Sequence, residues 1–197
     1  LNLGNIGLVY QNLGQYENAI SYFKASIEIA KQIGDKRNEG IQIGNVGLVY
    51  QNLGQYENAI EYYKEAIEIA KQIGNKSSEG INLGNVGDLS LKLERWEEAE
   101  QYLIEAIDIC KKALPPAAGA FSGSLSLVFI EQQKIEEALQ ILEEGEPLVK
   151  VYPFEHGKFL CKKAKVLHIA EQTEKATESL SNAKKIAEEL KATEDSE

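Results

Sequence analysis

A repeat of 40 residues constrains the fold of this chain more than any other feature. The segment GQYENAI begins at Gly14 and returns unchanged at Gly54. When residues 1–40 are aligned with residues 41–80, 11 of the 40 positions differ and 29 are identical. A period of this length is typical of supersecondary units that stack on their neighbours. Weaker copies follow, so the sequence predicts five repeats, at about residues 1–40, 41–80, 81–119, 120–156 and 157–190.

Apolar residues recur at helical spacing within each repeat. In the second repeat they stand at Tyr56, Ala59, Ile60 and Tyr63, which is the i, i+3, i+4, i+7 pattern of one helix face. An Asn-Leu-Gly break precedes this run, and Asp35 is placed to cap the preceding helix. No run alternates strictly, as a half-buried strand would. We therefore predict an all-α chain with two helices in each repeat.

Small residues define two columns that run through the repeats. The columns are Gly7, Gly47, Gly87, Ser126, Ala164 and Ala19, Ala59, Ala99, Ala138, Ala176. A glycine inside a helix costs about 1 kcal/mol relative to alanine. Its recurrence therefore predicts a place where two helices approach closely.

Together with the apolar residues around them, these small residues form a pattern that resembles the tetratricopeptide repeat. The motif Leu3-x2-Ile6-Gly7-x2-Tyr10, followed by Ala19-x3-Phe23, carries the resemblance. The period is 40 rather than the usual value of about 34 residues, and the terminal proline of the family is missing. With these two departures, the repeat is most similar to the extended repeats of kinesin light chains, spindle G-protein regulators and bacterial signalling proteins. HEAT and armadillo arrays share the period but lack the glycine–alanine pairing. The resemblance implies a right-handed α-solenoid, one domain over residues 1–190.

Composition and motifs limit the possible functions. A formal net charge of −10 argues against general nucleic-acid binding. No apolar run approaches the roughly 18 residues of a membrane helix, and we expect a cytoplasmic protein. The motifs of P-loop, serine-hydrolase and zinc-protease sites are absent. Cys161 and His168 are too far apart along one helix to share a metal. We therefore expect a non-enzymatic protein without metal or cofactor.

The sequence contains no methionine and begins within the repeat pattern. We interpret it as part of a longer protein, with two alternatives to a simple binding scaffold. In the first alternative, the array is a ligand-sensing regulatory arm of a signalling enzyme, such as a kinase or an NTPase switch. Alternatively, it is an architectural element that self-associates through its uncapped N-terminal repeat. Residues 191–197 are polar and acidic, which predicts a disordered tail.

The resemblance implies that a protein or peptide partner binds the concave face, which the first helix of each repeat lines. Spacing places two columns there: Asn5, Asn45, Asn85 and Leu8, Leu48, Asp88. Asparagine both donates and accepts hydrogen bonds, which suits the backbone of an extended peptide. An alternative is that these asparagines satisfy the backbone of a neighbouring helix.

The fifth repeat places a basic stripe on the same implied face. Its members are Lys158, Lys162, Lys165 and His168. They predict a partner with an acidic segment; the alternative is an ordinary solvated helix surface. The lysine–asparagine clamp that related chaperone co-factors use is not present as a set, because Gly4, Gly44 and Gly84 occupy its places.

Overall fold

The computed structural model describes residues 3–194, and the side chains of residues 3–191. Within this range the chain forms ten α-helices and no strand, which confirms the all-α prediction. The helices are α1 (Leu3–Asn12), α2 (Tyr16–Ile33), α3 (Lys36–Asn52), α4 (Tyr56–Gln72), α5 (Lys76–Lys92), α6 (Trp96–Ala113), α7 (Pro115–Glu131), α8 (Ile135–Val149), α9 (Pro153–Ile169) and α10 (Thr173–Glu194).

The helix pairs keep the predicted period but begin earlier than the predicted repeats. Asp35 caps α3, because its side chain accepts a hydrogen bond from the Asn38 amide at 3.0 Å. The repeat boundaries assigned from sequence therefore fall inside α3, α5, α7 and α9. Pro115 and Pro153 stand at the first positions of α7 and α9, as their fixed φ favours.

The predicted disordered tail needs a correction. Helix α10 continues through Glu194, so residues 191–194 are helical rather than disordered. The rest of that tail, residues 195–197, lies outside the described residues.

The turn inside each helix pair uses a left-handed residue at one position. Gly14 and Gly54 have φ of 70° and 73° there, and Glu94, Gln133 and Glu171 occupy the same position with φ of 59°, 62° and 60°. A residue with a side chain adopts this conformation at a cost of roughly 1–2 kcal/mol. The later repeats have thus kept the turn geometry after losing the glycine.

The chain forms two compact units, and the division falls within α5 between Leu89 and Ser90. In the first unit, Phe23 and Tyr63 are buried against the glycine column. A Cβ built on Gly7 would lie 2.6 Å from the Phe23 ring, and one on Gly47 would lie 2.9 Å from the Tyr63 ring. Real Cβ atoms do not approach neighbours this closely, so glycine is required for this packing. The alanine column is buried throughout the chain.

The second unit is built around α7, most of whose residues from Ala118 to Ile130 are buried. Small residues let α8 lie very close: a Cβ on Gly119 would be 2.7 Å from the carbonyl oxygen of Gly145. The buried hydroxyls of Ser122 and Ser126 donate to the helix's own carbonyls, at 2.9 and 2.8 Å. The Ala-, Gly- and Ser-rich sequence of α7 is therefore explained by close helix packing.

Cys110 occupies the column of Ala30 and Ala70 and is fully buried. Its thiol therefore takes the place of a small buried alanine side chain. Burial raises the pKa of Cys110 from 9.0 to about 11, because the thiolate would lose its hydration.

This shift predicts alkaline sensitivity of the second unit. Stability that depends on the neutral thiol is fully present below pH 9, the unfolded value, and is lost as pH rises toward 11. Urea unfolding at both pH values should show that the wild type loses on the order of 2 kcal/mol more than Cys110→Ala. Alanine is the native residue of this column in the first two repeats, which makes it the matched control. Equal losses in the two proteins would contradict the assignment.

Candidate functional site

A groove of about 300 Å³ lies between α3 and α5 in the first unit. It is lined by Ile41, Gly44, Asn45, Leu48, Tyr63, Ser78, Ile81, Asn82 and Asn85. The structure therefore brings together three residues that the sequence predicted as binding residues: Asn45, Leu48 and Asn85. The first two are on α3 and the third is on α5.

Glycine at the helix contact sets the depth of this groove. A Cβ on Gly44 would lie 3.0 Å from the side-chain oxygen of Asn82, so the amide of Asn82 rests over bare helix backbone. The same arrangement joins α1 to α3, where a Cβ on Gly4 would lie 2.6 Å from the amide nitrogen of Gln42. Gln42 and Asn82 are buried, and the sequence analysis did not single them out. A polar residue recurs at this position in successive repeats, and this recurrence is the sequence signal that could have identified the two residues.

Side-chain amides form a hydrogen-bonded run along α3. The Gln42 amide donates to Asn38 Oδ1 at 2.9 Å, and Asn45 Nδ2 donates to Gln42 Oε1 at 3.2 Å. Asn82 Nδ2 on α5 donates to the Ser78 carbonyl oxygen at 2.8 Å. Asn45 thus bonds to a neighbouring side chain and not to the backbone of an adjacent helix. The Asn85 amide has no hydrogen bond to any of residues 3–194.

Tyr63 lies at the base of the groove and is 1% exposed. Its hydroxyl donates to Gln51 Oε1 at 2.9 Å. Burial raises the pKa of Tyr63 above its usual value, and the negative charge of Asp88 raises it further. The hydroxyl is therefore protonated at physiological pH. The equivalent residue of the first repeat is Phe23, which lacks this group.

The other predicted residues of the first unit lie outside the lining of this groove. Asn5 and Leu8 are exposed on α1. Asp88 is half-buried on α5, one helical turn beyond Asn85.

The predicted basic residues belong to the second unit, and each lysine has a partner there. Lys162 donates to Ser124 Oγ at 2.7 Å, Lys165 lies 3.8 Å from a carboxylate oxygen of Glu131, and Lys158 lies 3.8 Å from one of Glu155. Lys158 also stands 3.9 Å from the centre of the Phe154 ring. His168 is exposed on α9.

A polar cluster that the sequence analysis did not identify joins α8 to α9. The Glu146 carboxylate pairs with Lys163 and lies 3.3 Å from His156 Nε2. Burial acts to raise the pKa of Glu146, but hydrogen bonds from Lys163 and His156 outweigh it, and the net pKa is lowered. The cluster is an internal link between two packed helices.

Two further expectations concern absences. Among the residues that the structure describes, no three His, Cys, Asp or Glu side chains are grouped as a metal site would require. None of the ten described helices is both long and apolar enough to span a membrane.

Self-association through the first repeat stays a prediction. Val9 and Ile29 of that repeat are 58% and 48% exposed, whereas the equivalent Val49 and Ile69 are buried. The first repeat therefore exposes apolar side chains at positions whose equivalents in the second repeat are buried.

Solved structures of helical-repeat proteins superimpose on most of this chain. BtubC (BKLC) from P. vanneervenii matches 96% of this chain and 80% of its own length, with a TM-score of 0.80 and 16% identity. A kinesin light chain-like protein of nearly identical repeats from P. anserina matches 96% and 95%, with a TM-score of 0.73 and 15% identity. The Rap conjugation gene regulator of plasmid pLS20, in complex with the Phr* peptide, matches 94% and 52%, with a TM-score of 0.75 and 17% identity. These likenesses show a common fold.

The family comparison agrees with the repeat pattern. No curated protein sequence matches the chain significantly. The family model for the tetratricopeptide repeat matches residues 1–72 and 40–112, which together cover more than half of the chain. The helix pairs, the glycine–alanine packing and this match lead to one conclusion: the chain belongs to the tetratricopeptide repeat family.

Proposed function

We propose that this chain is a non-enzymatic scaffold that binds an extended segment of a partner protein in the α3–α5 groove of its first unit. One observation carries the proposal: the side-chain amides of Asn45 and Asn85 line the same groove as exposed apolar side chains. The tetratricopeptide fold supports a protein-binding role in general. The Rap regulator of similar fold, which holds the Phr* peptide, supports a peptide as ligand.

The groove offers the two kinds of contact that an extended peptide needs. The Asn85 amide provides a donor and an acceptor for a peptide backbone, and Asn45 Oδ1 provides a second acceptor. Ile41 and Ile81, which are 40% and 37% exposed, flank these amides and provide apolar surface for side chains of the peptide. The affinity then comes mainly from neutral hydrogen bonds and apolar contacts.

The lysines of the second unit have a smaller part in this proposal. Lys158, Lys162 and Lys165 already have partners, so an acidic ligand segment would have to displace those contacts. Exposed ion pairs contribute about 0–1 kcal/mol each. An acidic partner segment would therefore gain little affinity at this surface.

Removing the two amides tests the proposed groove. Peptides selected from a random library against the full chain should bind Asn45→Ala/Asn85→Ala at least about tenfold more weakly, since each hydrogen bond contributes about 0.5–1.5 kcal/mol. Affinities are measured by fluorescence anisotropy at low and high salt. The loss should be the same at both, because the lost contacts are neutral.

The first two repeats provide a matched control. Asn18 and Asn58 are exposed on α2 and α4, where each donates to a glutamine of its own repeat. Asn18→Ala/Asn58→Ala removes the same chemistry away from the groove and should leave affinity unchanged. An equal loss in both double variants, or a loss in neither, would rule out the α3–α5 groove as the binding site.

A further inference from the structure

We propose that the first unit recognises a peptide carrying two apolar residues and one basic residue, each separated from the next by about three positions. The inference rests on the proposed function and specifies its ligand. It follows from one column of residues on α1, α3 and α5, namely Leu8, Leu48 and Asp88.

This column stands beside the asparagine column on each helix. Leu8, Leu48 and Asp88 follow Asn5, Asn45 and Asn85 by three residues, which places each pair on one helix face, one turn apart. Leu8 is 41% exposed, and Leu48 lines the groove. A segment whose backbone meets the asparagines therefore directs side chains toward this second column.

The spacing follows from how closely the three helices pack. Gly4 lies under Gln42, and Gly44 lies under Asn82, so α1–α3 and α3–α5 are in direct contact through glycine. Helices in contact have axes about 8–10 Å apart. A chain in the extended polyproline II conformation advances about 3.1 Å per residue and returns to the same face every third residue, so about three residues lead from one member of the column to the next.

The third member of the column changes the chemistry from apolar to acidic. The negative charge of Asp88 acts at the base of the groove, where it contributes to the raised pKa of Tyr63. A lysine or arginine that reaches Asp88 would form a partly exposed ion pair, worth a preference of about two- to fivefold over a neutral residue.

A positional-scanning library of extended peptides tests the inference with the full chain. Wild type should enrich apolar residues at two positions three apart, and Lys or Arg three further along. Asp88→Lys should replace the basic preference by Asp or Glu, a swing of about tenfold. Asp88→Asn should abolish the preference without reversing it. Glu68→Lys places the same charge change on an exposed position of α4 and should leave the profile unchanged.

The outcomes separate this inference from the proposed function. If Asn45→Ala/Asn85→Ala weakens peptide binding but Asp88→Lys leaves the profile intact, the groove stands and the basic position is wrong. Enrichment at positions six or seven apart would indicate a helical ligand and would overturn the proposed spacing. If wild type enriches no peptide, both the inference and the proposed function fail. Circular dichroism of each variant confirms that the helices are intact.

Discussion

Gly119→Ala is expected to lower the free energy of unfolding of the second unit by about 3 kcal/mol, the upper end of the usual range for overpacking. The new methyl carbon would lie 2.7 Å from the Gly145 carbonyl oxygen and 2.7 Å from Val149 Cγ1. One of these neighbours is backbone, so the strain is relieved only if α7 and α8 move apart. That movement would loosen the contact that buries the serines of α7. Thermal unfolding should show a decrease in Tm of about 10 °C or more.

Gly157→Ala is the matched control in the same unit. A Cβ at this position meets Ile186 at 3.6 Å, an ordinary van der Waals contact. Because alanine is favoured over glycine in a helix by about 1 kcal/mol, this variant should be slightly more stable than wild type. Both substitutions add one methyl group to a helical glycine, and they should change Tm in opposite directions. A neutral Gly119→Ala would show that the helices can separate at little cost.

The fold could be predicted from the sequence because the repeat displays the packing rule several times. A single glycine such as Gly47 inside a helix is ambiguous, but the same residue at Gly7 and Gly87 indicates a contact that every repeat must make. The left-handed turns of the later repeats could not be predicted in this way. Glu94 replaces the glycine, and only its alignment with Gly54 hints that the backbone conformation is retained.

The candidate site could be predicted where the same residue type recurs in adjacent repeats. It could not be predicted where a contact joins repeats of different sequence. Asn45, Leu48 and Asn85 meet in one groove because adjacent repeats place equivalent positions side by side. Lys162 stands in the same column as the asparagines, one repeat after Ser124, and donates to the hydroxyl of that serine. The sequence alone predicts that this lysine is available to a ligand. It does not show the pairing with a serine 38 residues away, because that pairing depends on how closely α7 and α9 approach.

Tyr63→Ala is expected to destabilise the first unit by about 3–5 kcal/mol, because it empties a fully buried aromatic site. The cavity would open beside Gly47, whose lack of a side chain leaves nothing to fill it. Tyr63→Phe should cost only about 1 kcal/mol, since it removes one hydrogen bond and Gln51 is half-exposed and can bond to water.

The first repeat supports this distinction, because it buries Phe23 at the same position against Gly7. The two variants also differ in their response to alkali. The folded-state pKa of Tyr63 is raised, so its contribution is complete below pH 10, the ordinary tyrosine value, and is lost as pH rises above it. Urea unfolding at neutral pH and above pH 10 should therefore show a smaller alkaline loss in Tyr63→Phe than in wild type. An equal loss would mean that the hydroxyl is already hydrated in the folded chain, and that the base of the groove admits water.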